Sequence, residues 1–189
     1  TSMCAWYITR VHNKVNTTIY MLCLFSMIVP FQMEMFTLSK IANMLHMGNP
    51  WGLIVIYLGF GAGLSVFMLC GFIKSIPLEI EEAAMIDGAT QLQLVTKIVL
   101  PLAKPTIAVT AMMVLIYVWN EYIFAINFMT GSDTYTLAAG LYSLQATEMS
   151  GSWPIFAAAS IVVSIPILIV FFALQKNMTT GLTSGGVKG

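Results

Sequence analysis

Residues 78–101 read LEIEEAAMIDGATQLQLVTKIVLP, from Leu78 to Pro101. Four of the eight carboxylates in the chain, Glu79, Glu81, Glu82 and Asp87, fall within this stretch, although only 8% of the residues are charged. Long apolar runs flank it on both sides. It therefore has to be a polar connection between segments too apolar for water, and its local signals predict two short helices. Pro77 suits the first turn of a helix, and Glu79, Glu81 and Glu82 follow where carboxylates favour the positive end of the dipole. Gly88 can take the left-handed conformation that stops such a helix. Thr90 and Gln93 have the spacing of a capping box that starts the next helix, on which Leu92, Val95 and Val99 share a face. Pro101 disfavours helix at Leu100 and is expected to end it.

The flanking runs set the fold class. The chain has 189 residues, 58% of them hydrophobic, and a mean hydropathy of +0.86. Its charged fraction is about a third of the roughly 25% usual in a soluble domain. Four runs are long enough to cross about 30 Å of hydrocarbon as helices of about 20 residues. They extend approximately over 16–36, 51–73, 106–129 and 156–174, and none shows the polar face of a soluble core helix. The expectation is an all-α integral membrane bundle occupying 1–189, with a polar loop at about 75–104 between the second and third of these spans. Pro166 is tolerable in the last run because neighbouring helices satisfy the freed carbonyl.

Four spans put both ends on one side of the bilayer. Assigning that side to the cytoplasm places Arg10, Lys14, Lys74, Lys97, Lys104, Lys176 and Lys188 inside and only Lys40 outside, as the positive-inside rule expects. The 75–104 loop and the C-terminus then face the cytoplasm, and the loop from Gly131 to Pro154, with Asp133 and Glu148, faces outward. Trp51, Trp119 and Trp153 fall toward the outer ends of spans, where amphipathic rings anchor at the interface. Formal charge is zero and there is no basic run, so no footprint for nucleic acid exists. Cys4, Cys23 and Cys70 form no C-x-x-C, His12 and His46 are solitary, and no Met/Cys/His cluster suggests a metal.

Ala83, Ala84 and Gly88 give the first loop helix a small-residue face that another backbone can approach closely. A passive interfacial helix usually carries Lys and Arg on its polar face, whereas this one carries Glu and Asp. The loop is thus expected to be a docking element for a cytoplasmic partner.

Glu82-Ala83-Ala84, then three residues, Gly88, nine residues, Ile98, one residue and Leu100-Pro101 resembles the EAA loop of permease subunits in binding-protein-dependent ABC importers. Asp87 before Gly88 and Pro105 after the loop strengthen the likeness. It continues along nearly the whole chain and is nearest the carbohydrate-uptake class, as in the G-type permease of the maltose system. "SIPLEIEEAAMIDGA", "WNEY" at Trp119 to Tyr122 and "GLTSGGVKG" from Gly181 all resemble that class. The resemblance implies a type I ABC importer permease fold with six spans. "AWYITR" looks like the end of the second, so the chain is expected to be N-terminally truncated.

The resemblance also implies a mechanism and a location, the bacterial cytoplasmic membrane. The helix from about Leu78 to Gly88 would sit in a cleft of a cytoplasmic ATPase as the coupling helix. Glu82 and Asp87 would meet the ATPase, Ala83, Ala84 and Gly88 would allow a close fit, and Ile98, Leu100 and Pro101 would complete the loop. The partners implied are a second permease subunit, two ATPase subunits that use ATP and Mg, an extracytoplasmic solute-binding protein and the lipid bilayer. The chain has no G-x-x-x-x-G-K-[ST] of its own and is expected to bind no cofactor and to catalyse nothing. The tail from Gly181 to Gly189 matches one that reaches into the ATPase dimer in the maltose-type relative.

Glu121 is the one formal charge well inside an expected span, at a cost of about 2.5–3.5 kcal/mol for a charge at the helix centre. It should face the bundle interior or a water-filled cavity. With Tyr117, Asn120 and Phe124 it shares a helical face of rings and hydrogen-bonding groups that suits a sugar. The alternative for Glu121 is a brace between permease helices. Glu34 and Gln32, after Pro30, mean either that the first span ends early or that this segment lines the outer vestibule. Gly59 and Gly63, with Gly61 and Ser65, suggest close helix packing, against the partner permease among other choices. The function expected is a sugar-importing permease. The competing readings are an importer of amino acids or peptides and, from another class, an intramembrane enzyme or receptor, which would need paired titratable groups inside the spans.

Overall fold

A computed structural model describes residues 1–129, 135–147 and 153–186. Among them the secondary structure is helical: α1 Ser2–Arg10, α2 Lys14–Ile28, α3 Phe31–Met44, α4 Pro50–Ser75, α5 Leu78–Ile86, α6 Gln91–Leu94, a π-helical turn Val95–Val99, α7 Leu100–Asn120, α8 Ile123–Phe128, α9 Leu137–Thr147 and α10 Trp153–Gly186. Asp133, Glu148 and the tail beyond Gly186 lie outside the described residues.

Among the described residues, three helical stretches are long and apolar enough to cross a membrane: Pro50–Ser75, Gln91–Asn120 and Trp153–Met178. The first expected span, 16–36, is not one helix. Val29 precedes Pro30, which fixes its own φ at −62° and restrains its neighbour to extended backbone, so α2 stops at Ile28 and α3 starts at Phe31. The two pieces reach the length and composition of a span only when taken together. Glu34 is exposed in the first turn of α3, where a carboxylate favours the helix dipole.

The third expected span, 106–129, differs at both ends. Helix runs through Pro101 rather than stopping at Leu100, and it ends at Asn120. The π turn explains the first difference: the Leu100 N–H bonds to the Val95 carbonyl, one residue further back than in an α-helix. The widened turn gives room for a ring that would otherwise press on the preceding carbonyl.

The chain divides into two compact units. The first comprises Thr1–Ile28, Phe60–Val114 and Leu174–Gly189. Its core is Ala5, Val66, Leu69, Cys70, Ile73, Ile76, Ala84, Leu94 and Val99. Small residues let the helices approach. A Cβ on Gly63 would lie 2.5 Å from Ser26 Oγ and 2.9 Å from the Cys23 carbonyl oxygen, and one on Gly61 would lie 2.9 Å from Val114 Cγ1. Gly63 thus serves contact with α2 of the same chain, while Gly59 faces open space.

The second unit comprises Val29–Gly59 and Leu115–Ala173. Its core is Ala42, Leu53, Phe124, Ala125, Phe128, Met129 and Ala139. Trp51 opens α4, Trp119 sits in the last turn of α7 and Trp153 opens α10, so all three belong to this unit.

Candidate functional site

The 78–101 stretch is built by local signals that close on one another. Pro77, with φ −57° and ψ 136°, precedes α5 as its N-cap. At the other end Gly88 has φ +86°. Its N–H bonds to the Met85 carbonyl, and the Ala89 N–H to the Ala84 carbonyl, each at 3.0 Å. That pair of bonds is a Schellman motif, which uses the carbonyls a helix end leaves free. Two residues on, the Gln93 N–H donates to Thr90 Oγ1 at 3.3 Å and the Thr90 N–H to Gln93 Oε1 at 3.0 Å, the expected capping box. Helix α5 is therefore capped at its C-terminus and joined to α6 with little slack.

Its faces differ from the expectation in one respect. Only Glu81 and Ala84 of α5 are buried. Ala84 belongs to the core, so it is no part of an outward small-residue face. Glu82, Ala83, Met85, Ile86, Asp87 and Gly88 are exposed, Ile86 at 86%. Beyond the turn, Ile98 and Leu100 are half-buried and Pro101 is exposed. Leu92 is also exposed, whereas Leu94, Val95 and Val99 are buried, so the inward face of this segment runs through Leu94 rather than Leu92. A shallow cavity of about 250 Å³ beside the turn is lined by Asp87, Gly88, Ala89, Gln93, Lys97 and Ile98. The outward surface is acidic, apolar and small at once.

Glu81 is the residue that sequence reasoning missed. It is 3% exposed. Its Oε1 accepts from Arg10 Nε at 2.9 Å and Nη2 at 2.7 Å, and its Oε2 from Trp6 Nε1 at 3.0 Å. Arg10 Nη2 also donates to the Ile76 carbonyl at 2.9 Å. A buried carboxylate is tolerable only when paired and hydrogen-bonded, and this one is both. Its partners lie 71 and 75 residues away, which no local pattern reveals.

Glu121 resolves toward the brace. It stands at the break between α7 and α8. Its Oε1 accepts from the Phe124 N–H at 2.7 Å, and its Oε2 from the Ala125 N–H at 3.3 Å and the Tyr57 hydroxyl at 2.5 Å. The chain break divides the expected four-residue face: Tyr117 and Asn120 are exposed at the end of α7, while Phe124 is fully buried in α8 and stacked on Phe128 at 4.9 Å. Near the same break Trp119, Asn120, Tyr122, Tyr142, Gln145 and Ser160 help line a cavity of about 350 Å³. The Tyr122 and Tyr142 rings are stacked 4.8 Å apart.

Residues 2–183 match the family described as binding-protein-dependent transport system inner membrane component. The chain belongs to this family. As an inner membrane component it is similar to the galactooligosaccharides transport system permease protein GanQ of Bacillus subtilis (strain 168), with 36% identity over 82% of this chain and 54% of the relative. It is 34% identical to the probable starch degradation products transport system permease protein AmyC of Thermoanaerobacterium thermosulfurigenes, over 99% of this chain and 68% of that one. With the melibiose/raffinose/stachyose import permease protein MelC of Bacillus subtilis (strain 168) it shares 36% identity, over 100% of this chain and 68% of that one. The inner membrane component described here thus spans between 54% and 68% of the length of these relatives.

Proposed function

We propose that the chain belongs to the permease subunit of an ATP-driven importer and carries a sugar, oligosaccharide or sugar derivative inward across the bacterial cytoplasmic membrane. The observation that carries this reading is helix α5. It is closed by a Schellman turn, joined through a capping box to a long apolar helix, and presents Glu82, Ala83, Asp87 and Gly88 outward. A short stiff helix between two membrane helices transmits a push. In this reading α5 docks on a cytoplasmic ATPase, with Glu82 and Asp87 meeting it and Ala83 and Gly88 permitting close approach. Ala84, Ile98 and Leu100 seat the loop on the permease body, and Pro101 lies at its exposed edge.

The loop and the C-terminus face the cytoplasm. The partners are a second permease subunit, two ATPase subunits that use ATP and Mg, and an extracytoplasmic solute-binding protein. The permease catalyses nothing and binds no cofactor. The sugar class is supported by the names of the relatives, and the groups of this chain assigned to the substrate path are Asn120, which helps line the cavity by the Tyr122–Tyr142 stack, and Tyr117, exposed one turn earlier on α7.

The test is purification of the importer with its binding protein and a screen of sugars, amino acids and peptides for stimulated ATP hydrolysis. Stimulation by a sugar is expected. Stimulation by amino acids or peptides alone, or failure to associate with any ATPase, overturns the reading.

A further inference from the structure

Helix α5 has nine residues and only two of them, Glu81 and Ala84, are buried. Its grip on the first unit beyond the chain connections therefore rests on a methyl group and a carboxylate. The methyl can slide. The carboxylate cannot, because it is held by directed bonds: two from the Arg10 guanidinium and one from the Trp6 indole. Guanidinium-carboxylate bonds of this kind fix orientation as well as distance. Arg10 and Trp6 both lie on α1, and the second bond from Arg10 Nη2 reaches the Ile76 carbonyl just beyond α4. Farther along α1, Ala5 is fully buried and its carbonyl receives the Cys70 thiol at 3.5 Å. The side chains of the ion pair are 14% and 4% exposed, so water competes little for the bonds.

We infer that Trp6, Arg10 and Glu81 form a rigid joint through which displacement of α5 is delivered to α1, making Arg10 and Glu81 positioning residues for coupling. The inference rests on the coupling role proposed above for α5. It assigns adjacent acids opposite tasks: Glu82 faces the motor, and Glu81 holds the lever to the membrane helices. Without the joint, α5 still docks and the ATPase still turns over, but α1 is no longer dragged along.

The exposed Cys4 on α1 supplies a native reporter. In the assembled importer, the rate at which N-ethylmaleimide modifies Cys4 is followed by peptide mass spectrometry with and without Mg-ATP. Cross-linking of an Ala83→Cys variant to the ATPase is scored in parallel. Mg-ATP is expected to change the Cys4 rate by about threefold or more in the parent protein, and Glu81→Gln to abolish the change while hydrolysis stays within about twofold. The exchange of charges in Arg10→Glu with Glu81→Arg should recover part of the response. If Glu81→Gln does not accumulate, Trp6→Phe removes one donor only and should reduce the response in the same direction. A Cys4 response that survives Glu81→Gln, or one that Trp6→Phe leaves undiminished, overturns the joint. A parent protein that cross-links normally but shows no Cys4 response also overturns it. Failure of Ala83→Cys to cross-link overturns the docking role of α5 instead, and the joint with it.

Discussion

The Tyr57 hydroxyl, on α4, donates a 2.5 Å hydrogen bond to Glu121, 64 residues later in the chain. The same carboxylate accepts two backbone N–H groups from the start of α8. One side chain therefore ties α4 to a helix break and supplies acceptors that the break leaves missing. Glu121→Ala should lower stability by about 1–3 kcal/mol, because buried donors are left unmet. Tyr57→Phe should cost about 1 kcal/mol, since it removes a single bond. Thermal unfolding in detergent measures both, and an Ala variant as stable as the parent would contradict the brace.

Gly88 tests backbone geometry apart from packing. Nothing lies within 4 Å of a Cβ placed there, yet its φ is +86°. Gly88→Leu should thus strain the α5 terminus by about 1–2 kcal/mol without a steric clash. ATP hydrolysis should become uncoupled from uptake while membrane insertion continues, and Gly88→Asn, better suited to left-handed backbone, should retain more uptake. Unchanged uptake in Gly88→Leu counts against the docking role.

Thr90→Val removes the acceptor for the Gln93 N–H. The loss should be about 1 kcal/mol, typical for an N-cap. Amide hydrogen exchange at 91–94 should accelerate several-fold in the variant, and equal protection would show that the capping box does not hold α6.

The two glycines of the G-x-x-x-G should differ sharply. Gly63→Val forces α2 and α4 apart against the Cys23 carbonyl and should cost about 1–3 kcal/mol, read as reduced accumulation in the membrane. Gly59→Ala, facing open space within the chain, should be tolerated. Equal accumulation of both variants would contradict the α2–α4 contact.

The membrane character, the short helix pair and its punctuation are legible in the residues themselves. Long apolar runs report the solvent they require. Pro77, Gly88 and the Thr90–Gln93 box act over five residues or fewer, so their outcome does not wait for the rest of the fold. The misread of Pro101 was also local in origin: the rule for proline assumes a regular ladder, and a π turn escapes it. The break at Val29–Pro30 had a visible cause in the same rule, although the apolar run passed over it.

Adjacent Glu81 and Glu82 mark the boundary of what such reading can reach. Their side chains are chemically alike, and only the arrival of α1, more than 70 residues earlier in the chain, makes one a buried partner of Arg10 and leaves the other in the open. Glu121 was legible as a charge that must face the bundle interior or a water-filled cavity but not as the acceptor for Tyr57, and Gly63 as a small residue but not as the seat for α2. Composition and short-range hydrogen bonding determined that the chain lies in a membrane and carries a stiff acidic elbow. Which side chains turn inward was decided by tertiary structure, because it depends on directed contacts between groups that the sequence holds far apart.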